Sequence, residues 1–180
     1  MNKAITSEEH VVCLPLNLAS DHDSELTIDF QNQAMQVHLP SAETLQTWVS
    51  LVLDTEQRAG DIAVSFVDDA LSQNLNSRYR SKDRPTNVLS FPAEIPPGLP
   101  PNMAAEVGLG DLVLCVPVLL EEAQQQDKSA IDHCAHLVIH GVLHLLGYDH
   151  IEDADAEQME AKERALLAQL GVSDPYATEC

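Results

Sequence analysis

The segment HGVLHLLGYDH, residues 140–150, constrains this chain more than any other feature. His140 and His144 stand four apart in an apolar stretch that reads as a helix. Helical geometry then places them on one face, about 6 Å apart along the axis. Gly147 is a natural helix terminator, because glycine adopts the left-handed cap conformation cheaply. The turn it makes lets His150 come back towards the same point. Three neutral imidazoles leave the fourth tetrahedral position of one zinc ion open for water, the arrangement of a catalytic rather than a structural site. A helix that merely buries histidines has no need of this spacing together with a glycine at the turn.

The spacing also matches the long metalloprotease motif H-E-x-x-H-x-x-G-x-x-H, with one departure. Gly141 stands where that motif carries its general-base glutamate. A protease of that type would lack its base. His136 lies one turn before His140 on the same face. Its functional reading is support for a ligand, or a proton shuttle; its plain reading is a hydrogen-bonded core histidine. His133 is about 10 Å along the axis from His140, too far to share its ion. Asp149 can orient a ligand imidazole or simply serve the turn.

The chain has 180 residues, of which 44% are hydrophobic, enough for one domain over 1–180 with a real core. No apolar run is long enough to span a bilayer. The stretch VVCLPLNLA contains Pro15 and Asn17 and follows Glu8 and Glu9, so it reads as a strand rather than a signal peptide. Cys13, Cys115, Cys134 and Cys180 form no C-x-x-C pair. They read as reduced thiols, mostly in the core of a cytosolic protein. Nine basic residues against 29 acidic ones give a net charge of −20. A field of that sign repels nucleic acid and membranes. Yet Arg78, Arg80, Lys82 and Arg84 gather within seven residues, so a local positive site survives on an acidic body.

Alternation marks strands over residues 11–18, at Leu26, Ile28 and Phe30, and at Ile62, Val64 and Phe66. NVLSFP, ending at Pro92, reads as extended, and GDLVLC at 110–115 as a strand. Helices are predicted from Ser41 to a stop at Gly60, from Asp68 or Asp69 towards Tyr79, and over about 117–126, 129–146 and 154–170. The last carries Met159, Leu166, Leu167 and Leu170 on one face. The acidic run from Glu152 to Glu163 reads as a solvated helix face, with Asp153 and Asp155 suited to the helix dipole. The fold class is α/β (α+β): a single layered domain with a mixed sheet of about four strands and about five helices.

HGVLHLLGYDH closely resembles the signature of the YbeY family of bacterial endoribonucleases. YRSKDRPTNVLSFP at 79–92, GDLVLC at 110–115 and DPY at 174–176 are also similar to family segments. The resemblance covers nearly all of residues 40–180; residues 20–40 are longer than it implies. It implies a metal-bound α/β fold, a cytoplasmic location and single-strand-specific cleavage in maturation of small-subunit ribosomal RNA. It also implies ribosome or small-subunit ribosomal proteins as partners, and a part in ribosome quality control. By motif position the zinc ligands are His140, His144 and His150, and the functional arginine is Arg80. Guanidinium binds two phosphate oxygens at once and stabilises charge developing at phosphorus. Arg78, Lys82 and Arg84 are weaker candidates for steering RNA. The general base stays open between metal-bound hydroxide, His136 and Asp149, and the nucleophile between water and the ribose 2′-hydroxyl. Two rivals remain: a metal-dependent hydrolase of another substrate class, and a ribosome-assembly factor whose zinc is structural.

Overall fold

A computed structural model describes residues 26–30, 39–100, 107–149 and 153–177. The strand expected over 11–18, His150, Cys13 and Cys180 lie outside the described residues. The elements run β1 (Leu26–Phe30), α1 (Ala42–Thr55), β2 (Ile62–Val67), α2 (Asp69–Arg80), β3 (Val88–Pro92), β4 (Gly110–Cys115), α3 (Val116–Gln125), α4 (Ala130–Leu145) and α5 (Asp153–Gln169). Among the described residues this is the mixed four-stranded sheet with five helices that the sequence predicts.

The strand order is β1-β2-β4-β3. β1, β2 and β4 are parallel, while β3 runs antiparallel to β4 at the edge, pairing Ser90 with Leu112 and Pro92 with Gly110. The parallel strands β2 and β4 bury residues on both faces (Ile62, Val64, Phe66 and Val67; Leu112, Leu114 and Cys115). α1 starts at Ser41, whose hydroxyl accepts the Thr44 amide, and α2 at Asp68, whose carboxylate accepts the Leu71 amide. α1 ends at Thr55, five residues before the glycine expected to stop it. Glu56 caps it, and its side chain is drawn into a cluster with Tyr148 and Lys162.

α4 is the hub. It is buried on nearly every side and packs on α1, α3, α5, β3 and β4. Gly141 allows its close approach to the sheet. A Cβ there would lie 2.7 Å from Leu112 Cδ2 and 3.3 Å from Ser90 Oγ, and Ser90 already donates to the Gly141 carbonyl at 3.2 Å. Position 141 faces the sheet, so the protease-type glutamate is excluded there on steric grounds. Gly141→Glu should be destabilised by more than the ~1–3 kcal/mol of ordinary overpacking, because it also buries a charge. Denaturant midpoints with a peptidase assay check this. A variant with the parent's midpoint and peptidase activity would contradict it.

Candidate metal centre and substrate cleft

The predicted pairing of His140 and His144 holds at atomic level. Their rings lie 4.6 Å apart at 82°, and the two Nε2 atoms face each other at 3.1 Å. What stands at each Nδ1 fixes the tautomers. His144 Nδ1 meets the Tyr148 carbonyl at 2.8 Å, and a carbonyl only accepts, so Nδ1 carries the proton. Gly147, at φ +95°, makes the turn that brings this carbonyl back over the end of α4. The Tyr148 hydroxyl donates to Glu56 at 2.6 Å, and Lys162 donates to the same carboxylate at 2.6 Å, anchoring the turn to α1 and α5.

His140 Nδ1 meets Glu163 Oε1 at 2.8 Å. Glu163 lies on α5 and its side chain is 1% exposed. Burial alone would raise its pKa. Hydrogen bonds from His136, His140 and Tyr176 outweigh that and hold the carboxyl down at about 2. The carboxylate is thus ionised and can only accept, so His140 also carries its proton on Nδ1. With Nδ1 of each ring so engaged, the two Nε2 atoms turn towards one point. Lone pairs converging at 3.1 Å repel unless a cation or proton lies between them. The carboxylate–histidine and carbonyl–histidine links are those that orient zinc-binding imidazoles. The residues present fit a metal ion.

His136 sits behind this pair. Its Nε2 meets Glu163 Oε2 at 2.9 Å, and the Tyr176 hydroxyl donates to the same oxygen. Burial first, then the Glu163 charge, pushes the Tyr176 pKa upward, so the phenol keeps its proton. His136, His140 and Glu163 form a group of three whose ligand atoms all lie within 4.8 Å, a set able to hold a metal. Their present separations are hydrogen-bonding ones, and both Glu163 oxygens already accept. His133 turns away to Glu122 at 2.9 Å, and its burial outweighs that carboxylate and lowers its pKa.

Glu163 and Tyr176 are the residues that sequence reasoning missed as site members. Glu163 was placed on a solvated face, and its burial corrects that. The signal was present: Glu163 follows Met159 by four and precedes Leu166 and Leu167 by three and four, so it lies on the apolar stripe of α5.

Glu163 should also make stability pH-dependent. Its folded pKa of about 2 lies below the ordinary 4.5. The stabilisation is therefore complete above the unfolded value and is lost as pH falls through the folded one. A shift of this size corresponds to about 3 kcal/mol. Metal-free protein and its Glu163→Gln variant, unfolded by denaturant at pH 6 and pH 3, should differ by a gap that narrows at the lower pH. A gap of constant size would contradict the assignment.

His140 and His144 line a cleft of about 580 Å³ together with Arg80, Lys82, Arg84, Asn87 and Asp149. Arg80, at the end of α2, donates from Nη2 to the Ser90 carbonyl at 3.1 Å. Guanidinium has five N–H donors, so this bond fixes the group and leaves donors for an anion. Neighbouring backbone is tied down as well: the Asn76 amide donates to the Arg84 carbonyl at 2.8 Å, and the Ser72 hydroxyl to that of Thr86 at 2.9 Å. Arg80, His140, His144 and Asp149 thus share one cleft, whereas His136 is not among the residues lining it.

The fold and site together define a small mixed α/β protein with a metal-capable histidine pair beside an anion-capable arginine. The family model Endoribonuclease YbeY matches residues 27–171. The chain is 53% identical to an Endoribonuclease YbeY of Halorhodospira halophila, over 85% of this chain and 97% of that protein. It is 50% identical to one of Alteromonas mediterranea, over 80% and 89% of the two chains. A solution structure of a Thermotoga maritima protein shares the fold, with TM-score 0.55 and 24% identity over 85% of this chain and 99% of that one. The chain belongs to the YbeY family.

Proposed function

We propose that this chain is a zinc-dependent, single-strand-specific endoribonuclease that acts in maturation of the 3′ end of small-subunit ribosomal RNA. The observation that carries the reading is the convergence of His140 Nε2 and His144 Nε2 in a cleft that also holds Arg80. Relatives at 50–53% identity bear the name endoribonuclease, which favours RNA over other anionic substrates. His140, His144 and His150 hold the ion; bound there, zinc lowers the pKa of a water and polarises a phosphate. Glu163 and the Tyr148 carbonyl keep the Nδ1 protons in place so that both Nε2 atoms stay available. Arg80 holds the phosphodiester and offsets charge developing on it. In this reading Asp149, which lines the cleft, takes the proton, and His136 acts through Glu163 as a positioning residue.

Arg78, Lys82 and Arg84 steer RNA to this basic cluster on an otherwise acidic chain. The partners are ribosomal RNA and the ribosome or its small-subunit proteins, and the compartment is the cytoplasm. No described helix is long and apolar enough to cross a membrane. Cleavage of a structured ribosomal RNA fragment should stop with chelator and return with added zinc. Unchanged cleavage in chelator would remove the metal from the account. A zinc-loaded protein that cuts no RNA would point to another hydrolase class or to an assembly factor.

A further inference from the structure

We infer that Glu56, at the end of α1, is a positioning residue for the metal centre: it joins the two groups that orient His140 and His144. The inference rests on the zinc reading above and adds a residue that is not among those lining the cleft. Both histidines sit on α4, yet their Nδ1 partners come from two different elements. His144 Nδ1 meets the Tyr148 carbonyl, in the turn after α4, at 2.8 Å. His140 Nδ1 meets Glu163, on α5, at 2.8 Å. The two Nε2 atoms therefore keep a common target only while the turn and α5 keep their places relative to each other. Glu56 bonds both. Its Oε2 accepts the Tyr148 hydroxyl at 2.6 Å, and its Oε1 accepts from Lys162 Nζ at 2.6 Å. Tyr148 is the residue whose carbonyl holds His144, and Lys162 directly precedes Glu163 in α5. The Lys162 ammonium also lies 5.0 Å from the Tyr148 ring centroid, which closes the triangle.

An exposed ion pair usually contributes little, and a lone pair of that kind would carry no such role. This cluster differs. The Glu56 side chain is only 10% exposed. Each of its oxygens takes a donor of its own, and short charge-assisted hydrogen bonds are the stronger kind. Its backbone is fixed as well: the Glu56 amide donates to the Val52 carbonyl at 3.0 Å, and α1 packs on α4. Tyr148 lies beyond the last residue of α4, where its amide donates to the Leu143 carbonyl at 3.0 Å. The hydroxyl bond to Glu56 fixes the residue at a second point, the far end of its side chain.

Zinc affinity of the full chain, read by competition with a chromophoric chelator, tests the inference without reference to cleavage. Glu56→Gln and Tyr148→Phe should each bind zinc about tenfold more weakly than the parent, the low end of what direct partners of ligand histidines contribute. Tyr148→Phe keeps the ring and the carbonyl and loses only the hydroxyl. In a background of Tyr148→Phe with Lys162→Met, Glu56→Gln should add nothing, because Glu56 acts through those two side chains. Ser41→Ala supplies the structural comparison. It removes the cap at the other end of α1 and lowers the denaturant midpoint, and its zinc affinity should match the parent's. In metal-free protein labelled with nitrogen-15 at histidine, the Nδ1–H signals of His140 and His144 should exchange with water faster in Glu56→Gln than in Ser41→Ala. Parent-like zinc affinity in Glu56→Gln overturns the inference, as does an equal loss in Ser41→Ala. If His144→Ala lowers zinc affinity and Glu56→Gln does not, the metal centre stands and only the role of Glu56 falls. If the parent binds no zinc, both fall.

Discussion

Arg80→Ala should lose on the order of a hundredfold or more in RNA cleavage under single-turnover conditions, with its zinc and its fold intact. The magnitude is that of removing one preorganised donor from a charge-developing centre. Arg80 suits that role because it is always charged and is held by the Ser90 carbonyl at 3.1 Å inside the cleft of His140 and His144. Its charged guanidinium is no metal ligand, so metal content should not follow activity. Arg84 lines the same cleft, and its expected part is steering. Arg84→Ala should therefore weaken binding, most visibly as salt rises, with a smaller loss in the cleavage step. Equal rates for Arg80→Ala and the parent, or a greater loss in Arg84→Ala, would move the phosphate site elsewhere.

The larger loss is expected from His144→Ala, which should cut RNA no faster than background. One of the two converging Nε2 atoms disappears, and the Tyr148 carbonyl loses the Nδ1–H donor that the turn was built to receive. Outer partners of a ligand histidine typically contribute about 10–100-fold in affinity or activity. Glu163→Gln, which keeps the shape but loses the charge that orients His140, should fall in that range and recover in part with excess zinc. His144→Ala should not recover, because it loses a ligand rather than its orientation. Recovery of His144→Ala by zinc, or a smaller defect than in Glu163→Gln, would contradict this order. Circular dichroism and the denaturant midpoint of each variant separate loss of the site from loss of the fold.

The periodic elements were legible because their signals are local. Ser41 and Asp68 announce helix starts, the apolar run of α4 announces a buried helix, and Gly147 announces its end. His140 and His144 were legible as a pair because four residues make just over one helical turn. Four things were hidden, each for a physical reason. α1 stops at Thr55 because Gln57 takes a left-handed conformation, φ +52°, that turns the Arg58 amide back to the Leu53 carbonyl; the Glu56 cap is also held by Tyr148 and Lys162, 92 and 106 residues further on, which no local pattern encodes. Glu163 was masked by its neighbours: an acidic helix looks solvated until one carboxylate is seen to fall on the stripe of Met159, Leu166 and Leu167. Gly141 looked like a missing catalytic base, whereas its smallness serves packing against Leu112 and Ser90. The cleft joining Arg80 to the histidines arises from β3 lying beside β4 at the sheet edge, a pairing between distant segments.

Two metal positions are conceivable around His140: the Nε2 pair with His144 in the cleft, and the group with His136 and Glu163 behind it. Zinc content by elemental analysis of the purified parent, His136→Ala and His144→Ala proteins decides between them. About one zinc per chain is expected in the parent, nearly as much in His136→Ala, and little in His144→Ala. As much zinc in His144→Ala as in the parent, or a loss confined to His136→Ala, would contradict it.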